Sequence, residues 1–188
     1  INFATIDANG IVMDRRAGRI DNETNKRICR KLQENIQKLS DIEIIFEPVR
    51  EHRALLTLRG DGLREEILET DPQKTGLPPF PPKALVPEAE ETAALLQELI
   101  NKVREILSDE EKANMMLLRG YSRYRRYPTL TERYGLNALA IASYPMYRGI
   151  ARLLGMVVDP QPSSIKEEFI ALRDHYDKYD FFFLHVKP

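Results

Sequence analysis

The segment Asp14-Arg15-Arg16-Ala17-Gly18-Arg19 follows a short apolar run, Ile11-Val12-Met13. It sets three guanidinium groups and one carboxylate at the mouth of a strand-like stretch. The arrangement recurs along the chain. Arg59-Gly60 closes the run 54–58, Arg119-Gly120 closes "ANMMLL", and Tyr147-Arg148-Gly149 stands near the start of a helical pattern, while His52-Arg53 opens a strand instead of closing one. Arginine offers a planar fork of donors that matches carboxylate and phosphate oxygens two at a time. A neighbouring glycine lets backbone come close to a ligand. In α/β sheets ligands bind outside strand ends. Arginines converging from separate strand ends would therefore cage a small, doubly anionic ligand, a phosphorylated acid. Asp14 would orient an arginine or accept a hydrogen bond from a substrate hydroxyl.

The same residues supply no convincing catalytic half. His52, His175 and His185 show no HxH or HExxH spacing, and the single Cys29 belongs to no CxxC. There is no GxGxxG, no P-loop and no GxSxG elbow. The stretch "RGYSRYRRYPTLTERYG" interleaves arginine with tyrosine, which suits stacking on bases. It is short, and 28 basic residues against 29 acidic give a net charge of −1, so no overall polycation is available for nucleic acid. A solvated connection is its plainer reading. One cysteine cannot form an internal disulfide and fits a reducing, cytoplasmic compartment. No apolar run approaches the ~20 residues of a membrane span.

The elements that must position these groups follow from periodicity. "INFATID-ANG-IVMD" is two apolar runs about Asn9-Gly10, the strongest short hairpin signal. A helix follows, capped by Asp21 or Asn22, with Ile20, Thr24, Ile28, Leu32, Ile36 and Leu39 at helical spacing. "IEIIFEPV" and "RALLTLRG" alternate with period two and read as strands. Residues 60–87 hold six of the twelve prolines, which exclude helix and central strand and leave either a lid or a passive excursion. Pro87 starts a helix with Glu88, Glu90 and Glu91 in its first turn. "ANMMLLRG" and "LNALAIAS" read as buried strands, and "YPMYRGIARLLG" as a helix stopped by Gly155. "SSIKEEFIALRDHYDKY" reads as an amphipathic helix capped by Ser163 or Ser164. "DFFFLHV", apolar on both faces, fits a central strand. The alternation of strands and helices indicates α/β, with a mixed β-sheet flanked by helices. The chain opens on Ile1 in a strand and stops just after its most apolar run, which suggests that a parent polypeptide continues.

Six blocks in order, "NFATIDANGIVMDRRAGRI", "EHRALLTLRG", "TDPQKTG", "ANMMLLRG", "YPMYRGIARLLGM" and "YDFFFLHVKP", make the chain similar to the archaeal-type cofactor-independent (2,3-bisphosphoglycerate-independent) phosphoglycerate mutases of the alkaline phosphatase superfamily. The resemblance implies an isomerase of glycolysis and gluconeogenesis that moves phosphate between the hydroxyls of 3- and 2-phosphoglycerate through a phosphoserine. It implies that residues 1–130 are the inserted substrate-binding domain and 131–188 segments of the phosphatase-like core. The serine and the ligands of two divalent metals (Mn, Mg or Zn) would lie outside this segment, so no catalytic or metal residue is assigned to it. Carried over position by position, the resemblance implies phosphoglycerate contacts at Asn2, at Asp14 and Arg15 with Arg16 and Arg19 close by, and at His52, Arg53 and Arg59 as a second group. Asn114 and Arg119 form a third block, and Tyr147 and Arg148 stand near where the bacterial branch uses a lysine. The partners implied are phosphoglycerate and the remainder of the parent chain, with neither nucleic acid nor membrane. Two other readings remain open. One is a superfamily relative acting on another phosphorylated or phosphonate substrate, and the other is a non-catalytic interaction or nucleic-acid-binding module.

Overall fold

The computed structural model describes residues 1–159 and 162–186 and divides into two compact units, Ile1–Arg123 and Tyr124–Pro188. The division falls between Arg123 and Tyr124, earlier than the expected boundary at 130.

In the first unit β1 (Asn2–Ile6) and β2 (Val12–Asp14) form the expected hairpin. Gly10 at φ +79 closes the turn, and one Asp7 carboxylate oxygen accepts the Asn9 and Ile11 N–H groups at 2.9 and 2.8 Å. A left-handed φ costs glycine little, which is why Asn-Gly turns tightly here. Helix α1 (Asn22–Asn35) is capped by Asp21, whose carboxylate accepts from the Thr24 N–H at 2.7 Å. It ends before Ile36 and Leu39, which the helical spacing had included. Leu39 belongs instead to the short strand β3 (Lys38–Leu39), paired with β4 (Ile42–Arg50). The two periods coincide over a few residues, so spacing alone could not place the end.

Strand β5 (Arg53–Arg59) pairs with β4, and the sheet order is β2-β1-β5-β4-β3. Residues 60–86 carry only a two-residue ladder, β6 (Ile67–Leu68) with β7 (Lys83–Ala84), as four prolines at 78, 79, 81 and 82 require. A short turn at Pro87–Ala89 leads into α2 (Glu90–Ile106), and β8 (Met115–Leu117) returns to pair with β1. All these pairings are antiparallel. The core lies between the sheet and the helices, around Phe3, Ile28, Leu32, Ile44, Leu96 and Leu99, each no more than 1% exposed.

The second unit holds α3 (Leu130–Tyr134), β9 (Ala138–Ala142), α4 (Pro145–Leu153), β10 (Val157–Val158), α5 (Ile165–His175) and β11 (Phe181–His185). Its three strands are parallel in the order β10-β9-β11. The expected mixed sheet is thus resolved into antiparallel pairings in one unit and parallel pairings in the other. The fully buried "ALAIA" of β9 takes the centre, and "FFFLH", expected to be central, lies beside it with Phe181 42% exposed. Within the basic-aromatic stretch Thr129 and Glu132 form a reciprocal capping box that starts α3, an element not foreseen there. Ser164 caps α5. The last two residues of the block "YDFFFLHVKP" lie outside the described residues.

Candidate functional site

The 14–19 loop is built by Asp14. Its two carboxylate oxygens accept the Arg16 and Gly18 N–H groups, each at 2.7 Å. Ala17, Gly18 and Arg19 follow at φ 49, 62 and 51, three successive left-handed residues of which only one is glycine. Such a run is strained for Ala and Arg and persists only where its surroundings fix it. Ala17 is fully buried, and the Arg19 N–H closes the turn on the Arg16 carbonyl at 2.8 Å. Asp14 therefore shapes the loop that carries the arginines and does not pair with one of them among the described contacts.

Arg15 leaves this loop to meet Asp71. Its Nε and one terminal nitrogen donate to the two Asp71 oxygens, both at 2.8 Å. Arg119, just beyond β8, has a terminal nitrogen 3.4 Å from Asp71 Oδ2 and its Nε 3.6 Å from Glu69. The Asp71 carboxylate is wholly shielded from solvent and also accepts the Gln73 N–H at 2.8 Å. Burial works to raise its pKa. The Arg15 fork, the Gln73 N–H and the charges of Arg15 and Arg119 outweigh burial and hold it below the usual carboxylate range. The backbone brings these groups together. Thr70 N–H donates to the Leu118 carbonyl at 3.0 Å, Leu118 N–H to Thr70 Oγ1 at 2.8 Å, and Gly120 N–H to Glu69 Oε1 at 3.0 Å.

The proline-rich segment is tied down on its other side as well. Val12 N–H donates to the Leu77 carbonyl at 2.9 Å and Gly76 N–H to the Val12 carbonyl at 2.8 Å, two residues before Asp14. This extends the β2 edge with backbone that carries no regular strand of its own.

The second arginine group surrounds a hairpin turn. Asn22 and Asn25, at the start of α1, fix residues 51–53. Asn22 Oδ1 accepts the Glu51 N–H at 2.8 Å, and the buried Asn25 amide donates to the Glu51 carbonyl and to the Arg53 carbonyl, the latter at 2.8 Å. His52 is 2% exposed, and its Nδ1 has no hydrogen bond, with Glu51 Oε2 the nearest acid at 3.9 Å. Burial lowers the His52 pKa most. Arg53 lowers it further against the opposing pull of Glu51, and Arg16 and Arg19 add to the lowering. Burial and three guanidinium charges thus disfavour a proton on the imidazole. In register, Arg53 lies opposite Asn2 and Asn2 opposite Leu117, a row across β5, β1 and β8 whose far side leads on to Arg119.

The structure accordingly brings Arg15 and Arg119 together on Asp71 and sets His52 and Arg53 beside Asn2 at the same end of the sheet, with the charges of Arg16 and Arg19 felt at His52. Arg59 does not join them. It sits at the opposite end of β5, roughly 20 Å of strand away from Arg53, and pairs with Glu43 at 3.6 Å. Expecting His52, Arg53 and Arg59 to act as one group overlooked that a strand separates its own ends. Asn114 is engaged by backbone: it accepts the Ile6 N–H at 2.8 Å and donates to the Ile6 carbonyl at 3.0 Å. A neighbouring recess of about 430 Å³ is lined by Gly18, Arg19, Asp21, Thr24, Glu110 and Lys112 among others, so Arg19 alone of these arginines borders it. Asp71 was missed by sequence reading. It stands in the block "TDPQKTG", but nothing in one-dimensional spacing marks an acid before proline as buried.

In the second unit, Tyr147 and Arg148 stand at the carboxyl ends of the parallel strands. One Arg148 terminal nitrogen donates to the Ala142 carbonyl at 3.4 Å and the Asp159 carbonyl at 3.0 Å, so it ties β9 to the segment after β10. The Tyr147 ring lies 3.9 Å from that of His185, whose buried Nδ1 has no hydrogen-bond partner. Among the described residues no three His, Cys, Asp or Glu side chains are grouped as a metal would need.

A family model described as 2,3-bisphosphoglycerate-independent phosphoglycerate mutase matches residues 1–114. A Thermus thermophilus protein named probable 2,3-bisphosphoglycerate-independent phosphoglycerate mutase is 47% identical over 189 residues, covering 99% of this chain and 47% of its own. An Aquifex aeolicus protein of the same name is 43% identical, with 99% and 48% covered. The chain thus spans about half the length of the curated relatives it matches. Among solved structures, a cofactor-independent phosphoglycerate mutase from Thermoplasma acidophilum superposes with a TM-score of 0.70 at 26% identity, covering 99% of this chain and 53% of that one. A Pyrococcus horikoshii protein shares the fold with a TM-score of 0.67 at 19% identity, covering 100% and 45%.

Proposed function

Because this chain belongs to the 2,3-bisphosphoglycerate-independent phosphoglycerate mutases, we propose that it is the part of such an enzyme that holds phosphoglycerate while phosphate moves between the 2- and 3-hydroxyls. The phosphoserine intermediate is placed on a residue outside this chain, in a phosphatase-like core to which the Tyr124–Pro188 unit contributes, with Ile1–Arg123 as the inserted substrate-binding domain.

The observation that carries the proposal is the group of arginines at one end of the antiparallel sheet, with Arg15 and Arg119 on one shielded aspartate and Arg53 beside Asn2 and the buried His52. A glycerate phosphate carries separate anionic groups on a three-carbon frame. Guanidinium groups on several strand ends match that division better than one cluster would. The Arg15 fork uses Nε and one terminal nitrogen for Asp71 and leaves the other terminal nitrogen for a ligand oxygen. Donors fixed before the ligand arrives cost little reorganisation when it binds. Retaining glycerate between the two half-reactions makes the exchange intramolecular. Tyr147 and Arg148 border the carboxyl end of the parallel sheet, where Arg148 keeps the strand ends in place.

The described residues group no set of His, Cys, Asp and Glu side chains that fits a metal site. The two divalent metals of the intact enzyme are placed on ligands outside this chain. No helix among the described residues is long and apolar enough to cross a membrane. The cytoplasmic location proposed here goes with the proposed glycolytic role. The test is a titration of the intact enzyme with 3-phosphoglycerate, followed by its conversion to 2-phosphoglycerate. Arg119→Ala should weaken binding by about tenfold or more, the range for a lost charge-assisted contact. A wild-type enzyme that neither binds nor isomerises the ester would overturn the reading.

A further inference from the structure

We propose that Asp71 is a positioning residue for the substrate arginines: it fixes Arg15 and keeps Arg119 beside it. The inference rests on reading this end of the sheet as the phosphoglycerate site. A shielded carboxylate is costly unless donors surround it. Here they come from two separate segments: the Arg15 fork at 2.8 Å on both oxygens, and Arg119 at 3.4 Å. The carboxylate is the fixed member of the group. Its own N–H acceptance from Gln73, the Thr70–Leu118 pair of hydrogen bonds and the Phe80 N–H to Thr70 carbonyl bond at 2.9 Å hold residues 70–73 without help from either arginine. The guanidinium groups, on long flexible stems and 26% and 40% exposed, are the members that need orienting.

The two arginines are held differently, and this divides their work. Arg15 is bound by two short bonds in a planar fork, so its three remaining N–H donors are held in a fixed plane. Arg119 stands between Asp71 and Glu69 at 3.4 and 3.6 Å, long enough for it to realign on a ligand oxygen while Arg15 keeps Asp71 paired. Asp71 thereby fixes one donor set and leaves a second adjustable. That suits a site whose ligand must turn between two bound orientations.

The test uses the intact enzyme. Asp71→Asn keeps the shape of the side chain and one acceptor oxygen but removes the charge and the two-pronged acceptance. Its KM for 3-phosphoglycerate should rise about tenfold or more with kcat within about threefold, because bound-state orientation is lost and the chemical step elsewhere is untouched. A residue needed only for folding would lower the active fraction, and so kcat, at constant KM. A KM within about twofold of wild type, or a fall in kcat alone, overturns the proposal. Should Asp71→Asn not fold, Arg15→Lys answers from the other side, since lysine keeps the charge but cannot make the fork. A tenfold rise in KM supports the proposal, and a wild-type KM overturns it. Failure of the unsubstituted enzyme to bind 3-phosphoglycerate would instead overturn the phosphoglycerate reading, and the inference with it.

Discussion

Arg59 and Arg119 show how little an arginine's sequence neighbourhood says about its task. Both precede glycine at the end of a strand-like run, yet one pairs loosely with Glu43 on an open strand end and the other stands beside a shielded Asp71. An exposed pair of this kind contributes little to stability. Arg59→Ala should therefore leave 3-phosphoglycerate affinity within about twofold by calorimetry, against the tenfold or greater loss expected for Arg119→Ala. His52 makes a second prediction. Its folded-state pKa lies below the unfolded value of about 6.5, so the folded state binds fewer protons. Its stabilising effect is then present above pH ~6.5 and declines as pH falls below that value. Urea unfolding between pH 7 and 5 should show a smaller loss of stability for His52→Gln than for wild type. An equal loss in both would mean that His52 is not the group that titrates.

At the scale of elements, the site depends on helix and loop contacts more than on strand content. Asn25 on α1 holds the Glu51–Arg53 turn by its amide, and so fixes where His52 and Arg53 leave the sheet. Asn25→Ala leaves two carbonyls without their donor and should cost about 2–4 kcal/mol in chemical denaturation. It should also weaken ligand binding, although Asn25 is buried and belongs to the scaffold. In the second unit Gly155 ends α4 at φ +73, and a Cβ there would meet Thr129 at 2.6 Å. Thr129 caps α3, and Leu130 N–H donates to the Leu154 carbonyl at 2.9 Å. Gly155→Ala is expected to lose about 2 kcal/mol or more from left-handed strain and overlap combined. The proline-rich loop offers a parallel case. Its composition left lid and passive excursion both open, and its hydrogen bonds to Val12 and Leu118 make it part of the support for Arg15 and Arg119.

For the whole molecule, a net charge of −1 means that the arginine end of the first unit is a local field and not a property of the surface at large. Ligand protection should be local in the same way. On adding 3-phosphoglycerate, amide exchange should slow most in residues 14–20, 51–54, 69–73 and 117–120 and least in 38–43, which lie at the far end of the sheet. At a hundredfold excess over Kd the ligand should stabilise the fold by about 2.7 kcal/mol. Uniform protection across both regions would mean that binding is not confined to this end.

The sequence by itself determined the hairpin at Asn9-Gly10, most of the periodic elements, two helix caps to within one residue (Asp21 or Asn22, Ser163 or Ser164), and the arginine-bearing segments from which a phosphorylated acid was inferred. These are local: propensity, capping and alternation act over a few residues and leave their mark in spacing. Tertiary structure alone decided which arginines meet. Arg59 was separated from Arg53 by the length of its own strand, Asn114 was engaged by the Ile6 backbone, and β9 displaced β11 from the centre of its sheet. Asp71 is the sharpest instance, because its burial and its pairing with Arg15 and Arg119 arise from contacts between segments distant in the chain. The free energy that makes a buried carboxylate organise two guanidinium groups comes from excluded water, and exclusion of water is a property of the folded packing that residue order does not display.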